Sequence, residues 1–341
     1  MQQVKVHETF KVKFISYTHD GLGVTKINGI NKFNETLTNF PIFVENALVG
    51  EEAIIELTEV KRSFGKGKIK KLFFDKASKD RIMPKCDIYE KCGGCHLQHM
   101  AYPSQLSFKK QRVIDAYERI GGFENPNVLD TKSSNNEFYY RNKVQIPFTF
   151  KNGKTICGFY ERETHNIIPL NKCYLQSDLA TEVVKFIKNL CNELLIKGYV
   201  EEDNSGEIKH VLIKESSYNN ELMVIIITKD KIIKNFDLLV NKLKNRFKEI
   251  TSIIQNINSK PTNVILGDES IIHYGNDYII DKIGDKLFKI GVQSFFQINT
   301  YTTDILYQEA FKLANFKKED IVIDAYSGIG SIGICLSDKS F

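Results

Sequence analysis

A chain of 341 residues with 42% hydrophobic content is long enough for two or three domains and too apolar to be a disordered polymer. Its formal net charge of +5 is a mild basic bias, compatible with nucleic acid but too small to identify it as the partner. The longest apolar run, 222–227, is far too short to cross a membrane, and the opening Met1-Gln-Gln-Val-Lys-Val lacks the apolar core of an export signal. No membrane association is expected. A cytoplasmic protein is, and in that reducing compartment seven cysteines read as metal ligands or buried thiols rather than disulfides.

The first 75 residues read as short strands at 10–16, 40–44, 52–60 and 67–72, with the turn Asp20-Gly21-Leu22-Gly23 after the first. Closely spaced strands with glycine turns predict a small OB-like β-barrel. Between Val60 and Phe74 stand six basic residues (Lys61, Arg62, Lys66, Lys68, Lys70, Lys71), no acidic one, and Phe64 among them. A basic strand edge of this kind can hold RNA, and it can equally be a solvated hairpin.

Three cysteines then fall in one window, Cys86-Asp-Ile-Tyr-Glu-Lys-Cys92-Gly-Gly-Cys95. The paired glycines let the backbone fold tightly enough for Cys92 and Cys95 to face one centre. Three thiolates around one point repel each other unless a metal neutralises them. Candidates for a fourth ligand are Cys157, Cys173, Cys191, His96 and His99. Structural zinc usually takes two short cysteine pairs, and only one C-x2-C pair is present, so the spacing favours a [4Fe–4S] cluster with zinc as the alternative. Cys173 sits in a loop-like context. Cys157 lies within an expected strand and Cys191 on an expected helix, where buried thiols are the simpler reading.

A helix is predicted over 102–120, ended by Gly121-Gly122, and a loop over 123–136. Strands are expected at 143–150, 155–160, 209–213, 221–228, 252–257, 263–266, 278–281 and 286–290, and helices at 178–197 and 231–247. This pattern predicts an α+β domain with a largely antiparallel sheet. Tyr140-Arg141-Asn142-Lys143 could grip phosphate or simply open a strand. Gly291-Val-Gln-Ser-Phe295-Phe296-Gln297-Ile-Asn299 could stack a base or an adenosine, and the strand-end reading is the simpler one. A helix over 302–314 and a strand over 320–325 lead into Asp324-Ala-Tyr326-Ser-Gly328-Ile-Gly330. A glycine turn at the carboxyl end of such a strand leaves room for a nucleotide-like ligand. The third glycine of the dinucleotide fingerprint is missing. An acidic residue four positions before the first glycine is instead typical of S-adenosylmethionine sites.

In this order, these segments resemble the RNA (uracil-C5) methyltransferases, in particular the iron–sulfur 23S rRNA branch with an N-terminal TRAM domain. The pieces that carry the resemblance are Asp20–Gly23 with Ala47-Leu-Val-Gly-Glu51, the cysteine window with His96-Leu-Gln-His99, Tyr140–Lys143, Cys173, Ser294–Asn299 and Asp324–Gly330. The resemblance implies a multidomain protein: a TRAM barrel binding RNA over 1–75, a central α+β RNA-binding domain with the iron–sulfur site over 76–290, and the beginning of a Rossmann-like α/β methyltransferase domain over 291–341. It implies Cys86, Cys92, Cys95 and Cys173 as cluster ligands. It implies Gln297, Tyr326 and Ser331 as contacts to S-adenosylmethionine, with Gly328 and Gly330 admitting the ligand to the backbone. The partner implied is 23S rRNA, and a monomer is expected.

Members of that family place a nucleophilic cysteine and a glutamate base well downstream of the glycine motif. The chain ends eleven residues after Gly330. The expectation is therefore a C-terminally truncated enzyme, inactive alone, with no catalytic residue of its own. A non-catalytic RNA-binding factor with a structural cluster or zinc is the alternative. Cys335, in Ser331-Ile-Gly-Ile-Cys335-Leu, has apolar neighbours and is expected to be a buried thiol rather than a substitute nucleophile.

Overall fold

The structure is a computed structural model and describes residues 2–317 and 319–337. The chain divides into two units, 1–132 and 133–341. The cysteine segment, expected to open a central domain, groups with the N-terminal barrel instead. The final residues of the expected third domain, 338–341, lie outside the described set.

Strict alternation of side chains builds the first unit. Its strands are β1 (Thr9–Lys13), β2 (Ser16–Tyr17), β3 (Gly23–Ile30), β4 (Thr36–Val44), β5 (Glu52–Val60) and β6 (Gly65–Leu72). They form one sheet in the order β1-β5-β6-β4-β3-β2, antiparallel except for β4 beside β6. Phe10 and Val12, Phe40, Ile42 and Val44, and Ala53, Ile55 and Leu57 all point to one buried core. Ile15 N–H donates to Val24 O at 2.8 Å and Thr25 Oγ1 to Lys13 O at 2.9 Å, which brings the end of β1 against β3 and curls the sheet towards a barrel. Helix α1 (Tyr102–Arg119) follows the cysteine segment, with Pro103 in its first turn and no fully buried residue.

The second unit is built on a seven-stranded sheet. Its strands are β7 (Lys143–Lys151), β8 (Lys154–Tyr160), β9 (Ile167–Pro169), β10 (Ile208–Glu215), β11 (Leu222–Thr228), β12 (Ile250–Ile257) and β13 (Glu269–Gly275). The order is β13-β12-β11-β10-β7-β8-β9, and only β11 and β12 run parallel. Every residue of β11 is buried, because it is covered on both faces. Leu222, Val224 and Ile226 meet helices α2 (Asp178–Glu193) and α3 (Phe236–Arg246). Met223, Ile225 and Ile227 meet the hairpin of β14 (Tyr278–Ile283) and β15 (Lys286–Gly291), together with Tyr307 of α4 (Thr300–Ala314). A short helix α5 (Ser331–Leu336) closes the described chain.

Three expected elements are corrected. Residues 263–266 form no strand, because Asn258 Nδ2 takes the carbonyls of Val264 (2.6 Å) and Ile265 (3.0 Å). The helix expected from 231 begins only at Phe236, since Asn235 is in the left-handed region at φ 64°. Residues 320–325 form no strand among the described residues, and Ile321 and Ile323 are 93% and 84% exposed. Among the described residues, no helix is long and apolar enough to cross a membrane.

Candidate functional site

In the first unit the cysteine segment is fastened to the barrel through ions and aromatics. Glu51 is fully buried, and Arg81 donates to it through Nε and Nη2, both at 2.6 Å. Burial pushes the Glu51 carboxyl up. The Arg81 guanidinium and the N–H groups of Leu48 and Ser78 outweigh that and hold it below its ordinary range. The Asp20–Gly23 turn rests on the same segment. Gly21 lies at φ 89°, and a Cβ there would stand 2.8 Å from Leu97 Cδ2. Arg112 of α1 donates to His19 O, and Phe108 meets Tyr17 edge-on at 5.2 Å.

Within the segment, Tyr89 is buried and its hydroxyl reaches His96 O and His99 Nδ1, both at 2.7 Å. Gln98 Oε1 accepts from Cys86 N–H at 3.2 Å, and Cys92 Sγ accepts from Gly94 N–H at 3.4 Å. Burial raises the Cys86 thiol, and the Cys92 sulfur adds to the effect. Among the described residues, no group of three His, Cys, Asp or Glu side chains is gathered tightly enough to hold a metal ion. Cys173 belongs to the second unit and is half-buried against its core. Cys157 and Cys191 are buried thiols as expected. Burial pushes Cys157 up to about 12 and Cys191 higher still.

The basic edge carries less free charge than its sequence suggests, because β5 supplies acids across the ladder. Lys70 and Lys68 approach Glu56 at 2.8 and 3.8 Å, and Lys61 and Lys66 approach Glu59 at 3.0 and 4.0 Å. The hydrogen bond from Lys70 is the main reason the Glu56 carboxyl falls to about 2. Phe64 stacks on Phe43 at 5.3 Å with the Lys61 ammonium over its ring.

The second unit joins two motifs whose linking residues, Asn142 and Gln297, are 155 apart in sequence. Asn142 Nδ2 donates to Gln297 O (2.9 Å) and Thr300 Oγ1 (3.1 Å), and Asn142 N–H to Ile298 O (3.0 Å). Arg141 bridges Asn299, which caps α4 by accepting from Thr302 N–H. The two phenylalanines part company: Phe296 is buried near Phe288, and Phe295 is exposed. Tyr140–Lys143 therefore holds the Gln297 segment in place, a role its sequence did not suggest.

The glycine motif forms a tight loop. Tyr326, Gly328 and Gly330 lie in the left-handed region at φ 60°, 57° and 74°. Gly330 N–H donates to Ser327 O at 2.8 Å, and Asp324 Oδ2 accepts from Gly333 N–H at 3.0 Å. The Tyr326 ring is fully exposed, and nothing stands within 4 Å of where a Gly328 side chain would be. Ser331 Oγ bonds the Tyr307 hydroxyl at 2.8 Å. Helix α4 is thus the element common to the motifs, capped by Asn299 at one end and reaching Ser331 through Tyr307. A cleft of about 910 Å³ lies beside residues 320–325, between α4 and α5, and none of the five expected cofactor residues lines it. Cys335 is half-buried, and burial followed by Asp285 and Asp304 raises its thiol.

Sequence reading missed Lys214, whose buried ammonium lies against residues 291–294. The available signal was a lysine at an inward position of an apolar strand.

Residues 3–70 match the TRAM domain family. An uncharacterized RNA methyltransferase of Clostridium tetani is 41% identical over 320 residues, covering 94% of this chain and 68% of that protein. A similarly named protein of Bacillus cereus is 38% identical over 337 residues, covering 99% and 71%. The crystal structure of Pyrococcus abyssi tRNA (uracil-54, C5)-methyltransferase in complex with S-adenosyl-L-homocysteine shares the fold. Its TM-score is 0.69 at 24% identity, over 97% of this chain and 71% of that one.

Proposed function

The chain belongs to the RNA methyltransferases, and from that premise we propose that it serves the methylation of C5 of uracil in RNA, its residues binding the donor, S-adenosylmethionine, and the substrate, 23S ribosomal RNA. The observation that carries this reading is the loop around Tyr326. Glycine adopts a left-handed backbone freely, whereas tyrosine does so at a cost of about 1–3 kcal/mol. Here the strained residue presents a bare aromatic ring beside a glycine with open space over its backbone. That arrangement suits an adenosine stacking on Tyr326 and approaching the chain at Gly328 and Gly330. Gln297 and Ser331, each braced by a partner, are the polar contacts.

When bound, S-adenosylmethionine supplies an electrophilic methyl group. C5 of uracil is a poor nucleophile, so the reaction begins with a thiolate adding at C6, which passes electron density to C5. C5 then takes the methyl group, a base removes the C5 proton, and the C6–S bond breaks. The uracil must leave its stack to expose both face and edge. Burial keeps Cys157, Cys191 and Cys335 in their thiol forms, and none of them is the nucleophile in this scheme. The barrel contributes RNA contacts through Phe64 and Lys61.

The cysteine window is proposed to contribute Cys86, Cys92 and Cys95 as three of the four ligands of a [4Fe–4S] cluster. The spacing, the thiol-rich donor set and the Gly94 N–H on Cys92 Sγ support this. Its role is to shape the RNA-binding segment. Anaerobically isolated protein should be brown and contain iron and sulfide. Colourless protein with one bound zinc would replace the cluster with a zinc site.

The reaction is tested with protein purified from the cells that make it, using RNA tritiated at uracil C5. Release of tritium that depends on S-adenosylmethionine is expected. Methyl incorporation without tritium release would place the methyl elsewhere.

A further inference from the structure

Lys214 lies on β10 at an inward position, two residues beyond Leu212, and is only 5% exposed. Its ammonium donates to the carbonyls of Gly291 (2.6 Å), Val292 (3.0 Å) and Ser294 (2.9 Å). A lysine has three N–H donors, and each finds one acceptor. All three acceptors belong to one turn, which leads directly into Gln297. The turn is also tied internally, with Ser294 Oγ accepting from Gly291 N–H at 3.1 Å. On the other side of Gln297, Asn142 takes the Gln297 carbonyl.

Burying an ammonium is costly, and an apolar side chain would fill the same space on the strand with less penalty. Burial and the neighbouring Lys143 pull Lys214 down to about 8, which leaves it charged at neutral pH. Three carbonyl oxygens converging on one point repel one another unless a cation lies between them, as in protein sites for hard cations. Here the cation is attached to the chain.

We propose that Lys214 is a positioning residue for the cofactor site, a tethered cation whose three N–H groups fix the 291–297 segment and thereby place Gln297. The inference rests on the reading of Gln297 as a cofactor contact. It adds to that reading a specific residue, remote in sequence, that sets the geometry of the contact.

The test compares wild type with Lys214→Met, which keeps most of the volume and no donor, and Lys214→Ala. Two quantities are read: amide hydrogen exchange of 292–299 without ligand, and calorimetric affinity for S-adenosylhomocysteine. In Lys214→Met the amides should exchange faster and the affinity should fall about ten-fold or more. In Lys214→Ala, ethylammonium chloride should restore part of both losses where sodium chloride at equal ionic strength does not. Should Lys214→Met fail to fold, Lys214→Arg gives the same comparison, because it keeps the charge and alters the three-way donor set. Wild-type exchange and affinity in the folded variant would overturn the inference and leave the cofactor reading intact. A wild-type protein that does not bind S-adenosylhomocysteine would remove the cofactor reading and the positioning role with it.

Discussion

Glu51 and Arg81 form a buried ion pair in the first unit. The carboxylate is fully buried and takes both Nε and Nη2 of the guanidinium. Arg81→Ala would strand a buried charge and should lower stability by about 3–5 kcal/mol in urea titration. The sign of the pH effect follows from the depressed Glu51 carboxyl. Its stabilising contribution is complete above the ordinary carboxylate value of 4.5 and is lost as pH falls through the lower folded value. Arg81→Ala should therefore flatten the acid limb of the stability curve. Tyr326 is the opposite case, an exposed ring on a strained backbone. Tyr326→Ala should leave the unfolding midpoint nearly unchanged and reduce affinity for S-adenosylhomocysteine. An unchanged affinity would detach this ring from the cofactor.

At the scale of elements, the turn at Gly21 seats the cysteine segment on the barrel. Gly21→Ala forces a side chain to φ 89° and against Leu97, so a loss of about 1–3 kcal/mol is expected in thermal unfolding. Strand β5 was legible to the residue, because Ala53, Ile55 and Leu57 fall on one face and Glu52, Glu56 and Thr58 on the other, with Ile54 the one apolar exception. Strand β3 was not, because Gly23, Lys26, Asn28 and Gly29 dilute its pattern. Pairing across strands is also invisible along the chain. The six basic residues of 61–71 looked unopposed, and counter-charges for four of them (Lys61, Lys66, Lys68 and Lys70) come from Glu56 and Glu59 of β5. The cofactor motifs were legible as motifs. What held them was not, since Asn142 and Lys214 act across large sequence separations.

At the scale of the whole molecule, the chain combines a barrel unit that matches the TRAM family with a second unit that carries the glycine loop. Each has its own buried core. The chain as a whole belongs to the RNA methyltransferases, and the position of the methyl group defines the proposed reaction. The most direct measurement is nucleoside mass spectrometry of 23S ribosomal RNA from cells with and without the gene. Loss of 5-methyluridine from a defined position in the deletion strain, and its return on complementation, is expected. An unchanged 5-methyluridine content in that RNA would contradict the proposed reaction.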